Sequence, residues 1–139
     1  MKNSYTKGTI HSNIQIATNI YEIKIQGDFQ GEPGQFYMLR GWEALDPFLP
    51  RPISICNIKD GIITFLYEVR GRGTHIISKL NQGDTLELLG PLGKEFDLDL
   101  DGNIAIISGG IGIAPMIYLA KSLNASIDFY SGFRNEVYY

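Results

Sequence analysis

Short runs rich in β-branched and aromatic residues occupy positions 9–17, 20–26, 35–39, 52–57, 62–69 and 85–89, each closed by glycine, proline, asparagine or aspartate. Runs of this length with such punctuation predict strands, and six of them in succession predict an antiparallel barrel. The breaks at Gly27-Asp28, Gly31-Glu32-Pro33-Gly34, Asp60-Gly61 and Gly83-Asp84 supply positive φ or Asx hydrogen bonding. Asp60-Gly61, flanked by apolar runs on both sides, predicts a tight hairpin.

The periodicity changes twice. Residues 74–80 follow a Gly-x-Gly turn and predict one short helix with Thr74 as its N-cap. Beyond Gly90-Pro91-Leu92-Gly93, residues 103–108 are almost continuously apolar, as in a buried parallel strand. A glycine turn follows, then helical periodicity over 114–123 with Pro115 at a tolerated first-turn position, then a second buried strand over 125–130. Strand, helix and strand make a βαβ unit. The fold class expected is therefore a β-barrel plus α/β, with residues 1–98 forming the barrel and residues 99–139 opening a Rossmann-like domain.

Composition narrows the partners. The 139 residues are 44% hydrophobic and 19% charged, which suits one real core or a small domain with the start of another. Twelve basic against fifteen acidic residues leave a net charge of -3 with no run of Lys or Arg, so nucleic acid and anionic membrane surfaces are not the expected partners. The polar N-terminus lacks the apolar segment of a leader, and no stretch reaches the roughly 20 apolar residues that span a bilayer, so a cytoplasmic protein is expected. The single cysteine, Cys56, builds no disulfide framework, and alone it cannot hold zinc or an iron-sulfur cluster, each of which takes about four protein ligands.

Three constellations carry chemistry. In Pro50-Arg51-Pro52-Ile53-Ser54 the flanking prolines hold the backbone extended and aim the Arg51 guanidinium. Its planar fork suits a diphosphate. Alternation along the strand places Ser54 on the opposite face, with a hydroxyl suited to a ring nitrogen. In Gly71-Arg72-Gly73-Thr74 the glycines permit close backbone approach, and the helix start favours an anion. Either motif alone also fits an ordinary strand start or a capped turn; together they point to one diphosphate ligand. The third is Gly109-Gly110-Ile111-Gly112-Ile113-Ala114-Pro115, which follows a strand and opens a helix as a dinucleotide-binding turn does, with Pro115 where a third glycine is usual. The acidic residue expected after the second strand is replaced by Tyr130-Ser131-Gly132-Phe133-Arg134, and an arginine there suits a 2′-phosphate, leaving NAD and NADP both open.

These motifs, in this order, resemble the ferredoxin-reductase-like flavoproteins, most nearly the electron-transfer subunits of NAD-dependent dihydroorotate dehydrogenases. The likeness rests on Arg51-Pro52-Ile53-Ser54, on Leu66-Tyr67-Glu68 followed by Gly71-x-Gly73-Thr74, on Gly90-Pro91-Leu92-Gly93, and on Gly109 to Pro115. It implies an FAD-binding barrel in which Arg51 and Thr74 hold the diphosphate, Ser54 faces the isoalloxazine and Tyr67 packs along the flavin or its ribityl chain. It also implies that the turn through Gly109, Gly110, Gly112 and Pro115 receives a nicotinamide dinucleotide. A catalytic flavoprotein subunit is the implied partner, in a heterotetramer that oxidises dihydroorotate in pyrimidine biosynthesis.

Two departures stand against the family pattern. Members carry a complete nucleotide domain and a cysteine cluster for a 2Fe-2S centre, whereas this sequence has one βαβ unit and one cysteine, so a truncated form or an incomplete reading frame is expected, poor in NAD reduction by itself. Glu68 stands where a basic residue is expected. Related ferredoxin:NADP reductases and hydrogenase flavin subunits are the alternative within the class; a non-catalytic flavin-binding or assembly module is the alternative outside it. Of the remaining residues, Cys56 reads as a small buried hydrophobe, His11 and His75 as surface or capping residues, Asp97, Asp99 and Asp101 as a solvated connector, and Trp42 and Phe48 as loop packing or cover for an adenine or a partner.

Overall fold

The computed structural model describes residues 4–139; Met1, Lys2 and Asn3, which open the polar N-terminus, lie outside the described residues. Strands β1 (Ser4–Ala17), β2 (Ile20–Gln26), β3 (Phe36–Arg40), β4 (Arg51–Lys59), β5 (Ile62–Glu68) and β6 (Thr85–Leu92) close into a barrel in the order β1-β2-β5-β4-β3-β6, every pairing antiparallel. Helix α1 (Arg72–Ser78) lies between β5 and β6. A second unit follows: β7 (Asn103–Gly109), a single 3-10 turn (Gly110–Gly112), α2 (Ile113–Ser122) and β8 (Ser126–Gly132), with β7 and β8 parallel.

The barrel interior follows the two-residue period of its strands. Ile23 and Ile25 of β2, Tyr37 and Leu39 of β3, Ile63, Phe65 and Tyr67 of β5, and Leu86 and Leu88 of β6 point into one cluster. The expected hairpin is present: Asp60 and Gly61 both take positive φ, 54° and 74°, which matches the twist of the β4–β5 pair.

Burial on both faces of β5 explains its near-continuous apolar run. Its odd-numbered residues fill the barrel, while Leu66 on the outer face joins Cys56 of β4 and Ile113, Ala114 and Ile117 of α2 in a second cluster. That cluster fastens the βαβ unit to the barrel wall and leaves a cleft along the seam.

Several boundaries differ from the sequence-based expectation. β1 begins at Ser4 rather than at residue 9, because residues 4–9 pair along β6 from Gly90 to Thr85 without needing an apolar pattern. β6 likewise continues through Gly90 and Pro91 to Leu92. α1 runs from Arg72 to Ser78 rather than over 74–80, with Gly71 as its N-cap, so Thr74 is the third helical residue. α2 opens one residue before the expected Ala114. β7 and β8 are not buried parallel strands: Ile106 is buried under α2, but Ile107 and Tyr130 are 78% and 60% exposed, since only one face of this two-stranded sheet is covered.

Truncation of Phe65, fully buried at the centre of the barrel, creates a cavity that neighbouring strands cannot close. Phe65→Ala is expected to lower unfolding free energy by about 3–5 kcal/mol in a urea titration. A loss below about 1 kcal/mol would show that the barrel interior repacks freely.

Candidate functional site

β4 begins at the wall of a cleft of about 520 Å³ that lies between the barrel and the start of α2. Arg51, Pro52, Ile53 and Ser54 line it in succession, facing Leu66, Tyr67 and Glu68 of β5, Thr74 of α1, and Ile111, Gly112, Ala114 and Pro115 of the second unit. Arg51 and Ser54 were expected on opposite faces of the strand. The cleft runs along the strand's start, so it takes in both faces there.

The Arg51 side chain is held from three sides. Its Nη1 donates to the Leu49 carbonyl at 2.5 Å, its guanidinium lies 5.8 Å from the centre of the Trp42 ring, and its stem runs across Gly73. A Cβ at Gly73 would stand 2.5 Å from Arg51 Nε, so any side chain there would push the Arg51 guanidinium out of its present place. Gly73 thus serves the site by accommodating Arg51. No ion pair among the described residues involves Arg51, and its remaining N-H groups are free to meet an anion.

Thr74 acts differently from the expected cap. Its hydroxyl accepts the backbone N-H of Arg70 at 3.0 Å and of Gly71 at 3.2 Å, and lies 3.2 Å from the Gly71 carbonyl, to which it donates. From the third helical position it therefore closes the turn between β5 and α1, so its oxygen is engaged in shaping the cleft wall. Tyr67 is similarly committed. Its hydroxyl donates to Asn13 Oδ1 at 2.9 Å, while Asn13 Nδ2 donates to the carbonyls of Ile77 and Leu80 at the end of α1. Burial pushes the Tyr67 phenol well above the ordinary tyrosine range, against the lowering effect of the Asn13 hydrogen bond. The ring, stacked on Tyr21 with centroids 5.6 Å apart, forms wall.

Glu68 is paired within its own strand end: Arg70 Nε and Nη2 donate to Glu68 Oε2 at 2.8 and 2.7 Å. The acidic residue that departs from the family pattern therefore brings a guanidinium to the cleft, since Arg70 also lines it.

The glycine turn is divided between two cavities. Gly112 and Pro115 face the main cleft, whereas Gly109 and Gly110 line a neighbouring cavity of about 620 Å³ together with Arg134, Glu136 and Tyr138. Glu68, Arg70 and Ile111 form the wall common to both. The segment after β8 folds back on this wall: the Glu136 carboxylate accepts the Thr18 backbone N-H at 2.8 Å and the Thr18 hydroxyl at 3.2 Å, and Tyr138 packs edge-on against Phe133. Cys56 faces the packing between barrel and α2, where burial pushes its thiol up to about 12.

Of the residues expected at the site, Arg51, Pro52, Ile53, Ser54, Leu66, Tyr67, Glu68, Thr74, Gly112 and Pro115 meet at one cleft; Gly73 lies behind Arg51, and Gly109 and Gly110 open on the second cavity. Sequence reading passed over Asn13 and Arg70. Asn13 lies 54 positions from Tyr67, and no local spacing signals the pairing. Among the described residues no group of three or more His, Cys, Asp or Glu is placed to hold a metal ion, and no helix is long and apolar enough to cross a membrane.

No family model matches the chain. Solved structures share its fold. The NADH-dependent reduced ferredoxin-NADP oxidoreductase, studied for flavin-based electron bifurcation, superposes with a TM-score of 0.85 at 28% identity over 93% of this chain and 49% of its own. The ferredoxin-NADP+ reductase of Plasmodium falciparum superposes with a TM-score of 0.82 at 21% identity, over 96% of this chain and 60% of its own, a likeness of fold alone. The chain belongs to the ferredoxin-reductase-like class. Within that class its sequence relatives are electron transfer subunits of dihydroorotate dehydrogenase B (NAD(+)). It is 49% identical to that of Clostridium acetobutylicum over 96% of this chain and 55% of the relative, and 40% identical to that of Clostridium perfringens over 99% and 57%. The chain spans about half the length of the curated relatives it matches.

Two measurements check the site's construction. Asn13→Ala strips the buried Tyr67 hydroxyl and two helix carbonyls of their partner, and is expected to cost about 1–3 kcal/mol in chemical denaturation; an unchanged midpoint would show that Tyr67 finds another acceptor. Cys56 should resist alkylation at pH 8 in the folded chain and react once denaturant is added. Because its folded pKa is raised from 9.0 to about 12, the corresponding stability is intact below pH 9 and is lost as pH rises from there toward about 12. Rapid labelling of the native chain at pH 8 would contradict this burial.

Proposed function

We propose that this chain is the flavin-holding part of an electron-transfer subunit: residues 1–98 bind FAD, and residues 99–139 form the opening part of an NAD(P)-binding α/β domain. The carrying observation is the cleft itself. Pro52, Ile53, Leu66, Ala114 and Pro115 give it apolar walls suited to a planar ring system, and Arg51 enters with no carboxylate to neutralise it. A ligand that seats one aromatic ring system in the cleft and carries a diphosphate, as FAD does, matches that donor set.

FAD when bound supplies the redox chemistry, exchanging electrons one or two at a time. The chain's residues bind and orient it. Arg51, its direction set by Leu49, Trp42 and Gly73, would hold the diphosphate through its remaining N-H groups. Ser54 would offer a hydroxyl to the ring, and Tyr67 with Leu66 would supply a wall for it. Gly112 and Pro115 line the cleft together with β4, and the neighbouring cavity, lined by Gly109 and Gly110, shares with it the wall of Glu68, Arg70 and Ile111. A nicotinamide nucleotide is assigned to that side, with Arg134 there to meet a phosphate. That placement keeps NADP open as well as NAD, and with it a ferredoxin:NADP reductase or hydrogenase role.

The relatives' name, an electron transfer subunit of a dihydroorotate dehydrogenase, supports a separate catalytic subunit that oxidises dihydroorotate; our reading makes that subunit a flavoprotein and the assembly a cytoplasmic heterotetramer. A 2Fe-2S centre does not fit the residues present: it takes about four protein ligands, and Cys56 is a single buried thiol enclosed by Leu66 and α2. No step is assigned through such a centre.

The test is a visible absorption spectrum of the purified chain after incubation with FAD and desalting. Retained flavin bands are expected, with Arg51→Ala weakening FAD binding by at least about tenfold, the effect of losing one charge-assisted hydrogen bond. A folded chain that takes up no FAD would overturn the reading.

A further inference from the structure

The residue proposed to hold the diphosphate is aimed by groups that do not line its cleft. Trp42 stands on the loop between β3 and β4, and both Arg40 and Arg51 lie with their guanidinium carbons 5.8 Å from the centre of its ring. Both distances fall within the roughly 6 Å over which a cation is attracted to an aromatic face. The ring is itself braced: Trp42 Nε1 donates to the Pro47 carbonyl at 2.6 Å, and the ring packs against the main barrel cluster.

Arg40 shapes the loop that carries the ring. Its Nε donates to the Trp42 carbonyl at 3.0 Å, Nη2 to Ala44 at 2.5 Å and Nη1 to Phe48 at 3.4 Å, so one guanidinium gathers three carbonyls of residues 41–50. Asp46 ties the same loop to the first residue of α1 through Arg72 at 2.7 Å. The loop leads directly into Leu49, whose carbonyl takes Arg51 Nη1, and into Arg51 itself. Gly73 closes the far side of the Arg51 stem.

We propose that Trp42, braced by Arg40, is a positioning residue that fixes the Arg51 guanidinium toward the diphosphate of FAD from behind the cleft wall. The physical reason is entropic. Arginine is rich in rotamers, and an exposed one must be ordered when its ligand binds. A guanidinium already confined between an indole face and a glycine backbone loses less freedom at that moment. Trp42 and Arg40 line a separate polar cavity on the outer side of the loop rather than the cleft, so their effect on binding passes through Arg51. The inference rests on the FAD reading, but the contact it invokes is present without ligand.

Two arms separate the possibilities. Trp42 is the only tryptophan, so its emission reports on the contact in the ligand-free chain. Arg51→Ala and Arg40→Ala are each expected to shift or brighten that emission, and a spectrum unchanged in both would overturn the contact whether or not FAD binds. The second arm is FAD affinity by fluorescence titration. Trp42→Leu is expected to bind FAD about three- to thirtyfold more weakly, the range for losing a cation–π contact, with Trp42→Phe restoring most of it. In an Arg51→Gln background Trp42→Leu should add little further loss. Equal losses with and without Arg51, or equal affinities for the Phe and Leu variants, would overturn the positioning role. A wild-type chain with the expected emission changes but no FAD uptake would sink the flavin reading and leave the contact standing.

Discussion

Burial of β5 on both faces is the constraint on which the rest of the structure depends. One face supplies Ile63, Phe65 and Tyr67 to the barrel interior, and the other supplies Leu66 to the packing of Cys56 against Ile113, Ala114 and Ile117 of α2. An antiparallel barrel commonly leaves its outside to water. Here a patch of that outside is apolar, so the βαβ unit is drawn onto it, and the cleft is what remains open beside the contact. The same packing keeps Cys56 in its neutral form and out of reach of chemistry.

The site is built by using up most of its obvious polar groups. Thr74 spends its hydroxyl on the β5–α1 turn, Tyr67 spends its own on Asn13, and Glu68 holds Arg70. What faces the cleft with N-H groups left over, beyond the one given to Leu49, is Arg51, a cation without a carboxylate and with its stem wedged against a glycine. Satisfied neighbours around one unsatisfied, well-aimed group make a preorganised binding site, since binding then disturbs little else. Arg70, paired with Glu68, belongs to the wall that both cavities share.

Much of this was legible in the sequence. The six barrel strands, the Asp60-Gly61 hairpin and the βαβ order follow from local periodicity and turn chemistry, which act over a few residues and therefore leave a local trace. Arg51 between its prolines, and a glycine turn opening a helix, are legible for the same reason. Termini of elements were less so: β1 extends to Ser4 because β6 pairs with it, and the backbone of residues 4–8 needs no apolar pattern to do that. The exposure of Ile107 and Tyr130 was not legible either, because an apolar strand residue is buried only where another layer covers it.

By itself, then, the sequence determined which elements form, their order, and that one arginine stands held between two prolines at the start of a strand. Only the tertiary structure decided which groups remain available. That Asn13 takes the Tyr67 hydroxyl across 54 positions, that Gly73 makes room for Arg51, and that Trp42 and Arg40 brace it from behind are contacts between distant segments brought together by barrel closure. Hydrogen bonds and stacking are satisfied in three dimensions, and a pattern along one chain records only those whose partners lie close in that chain.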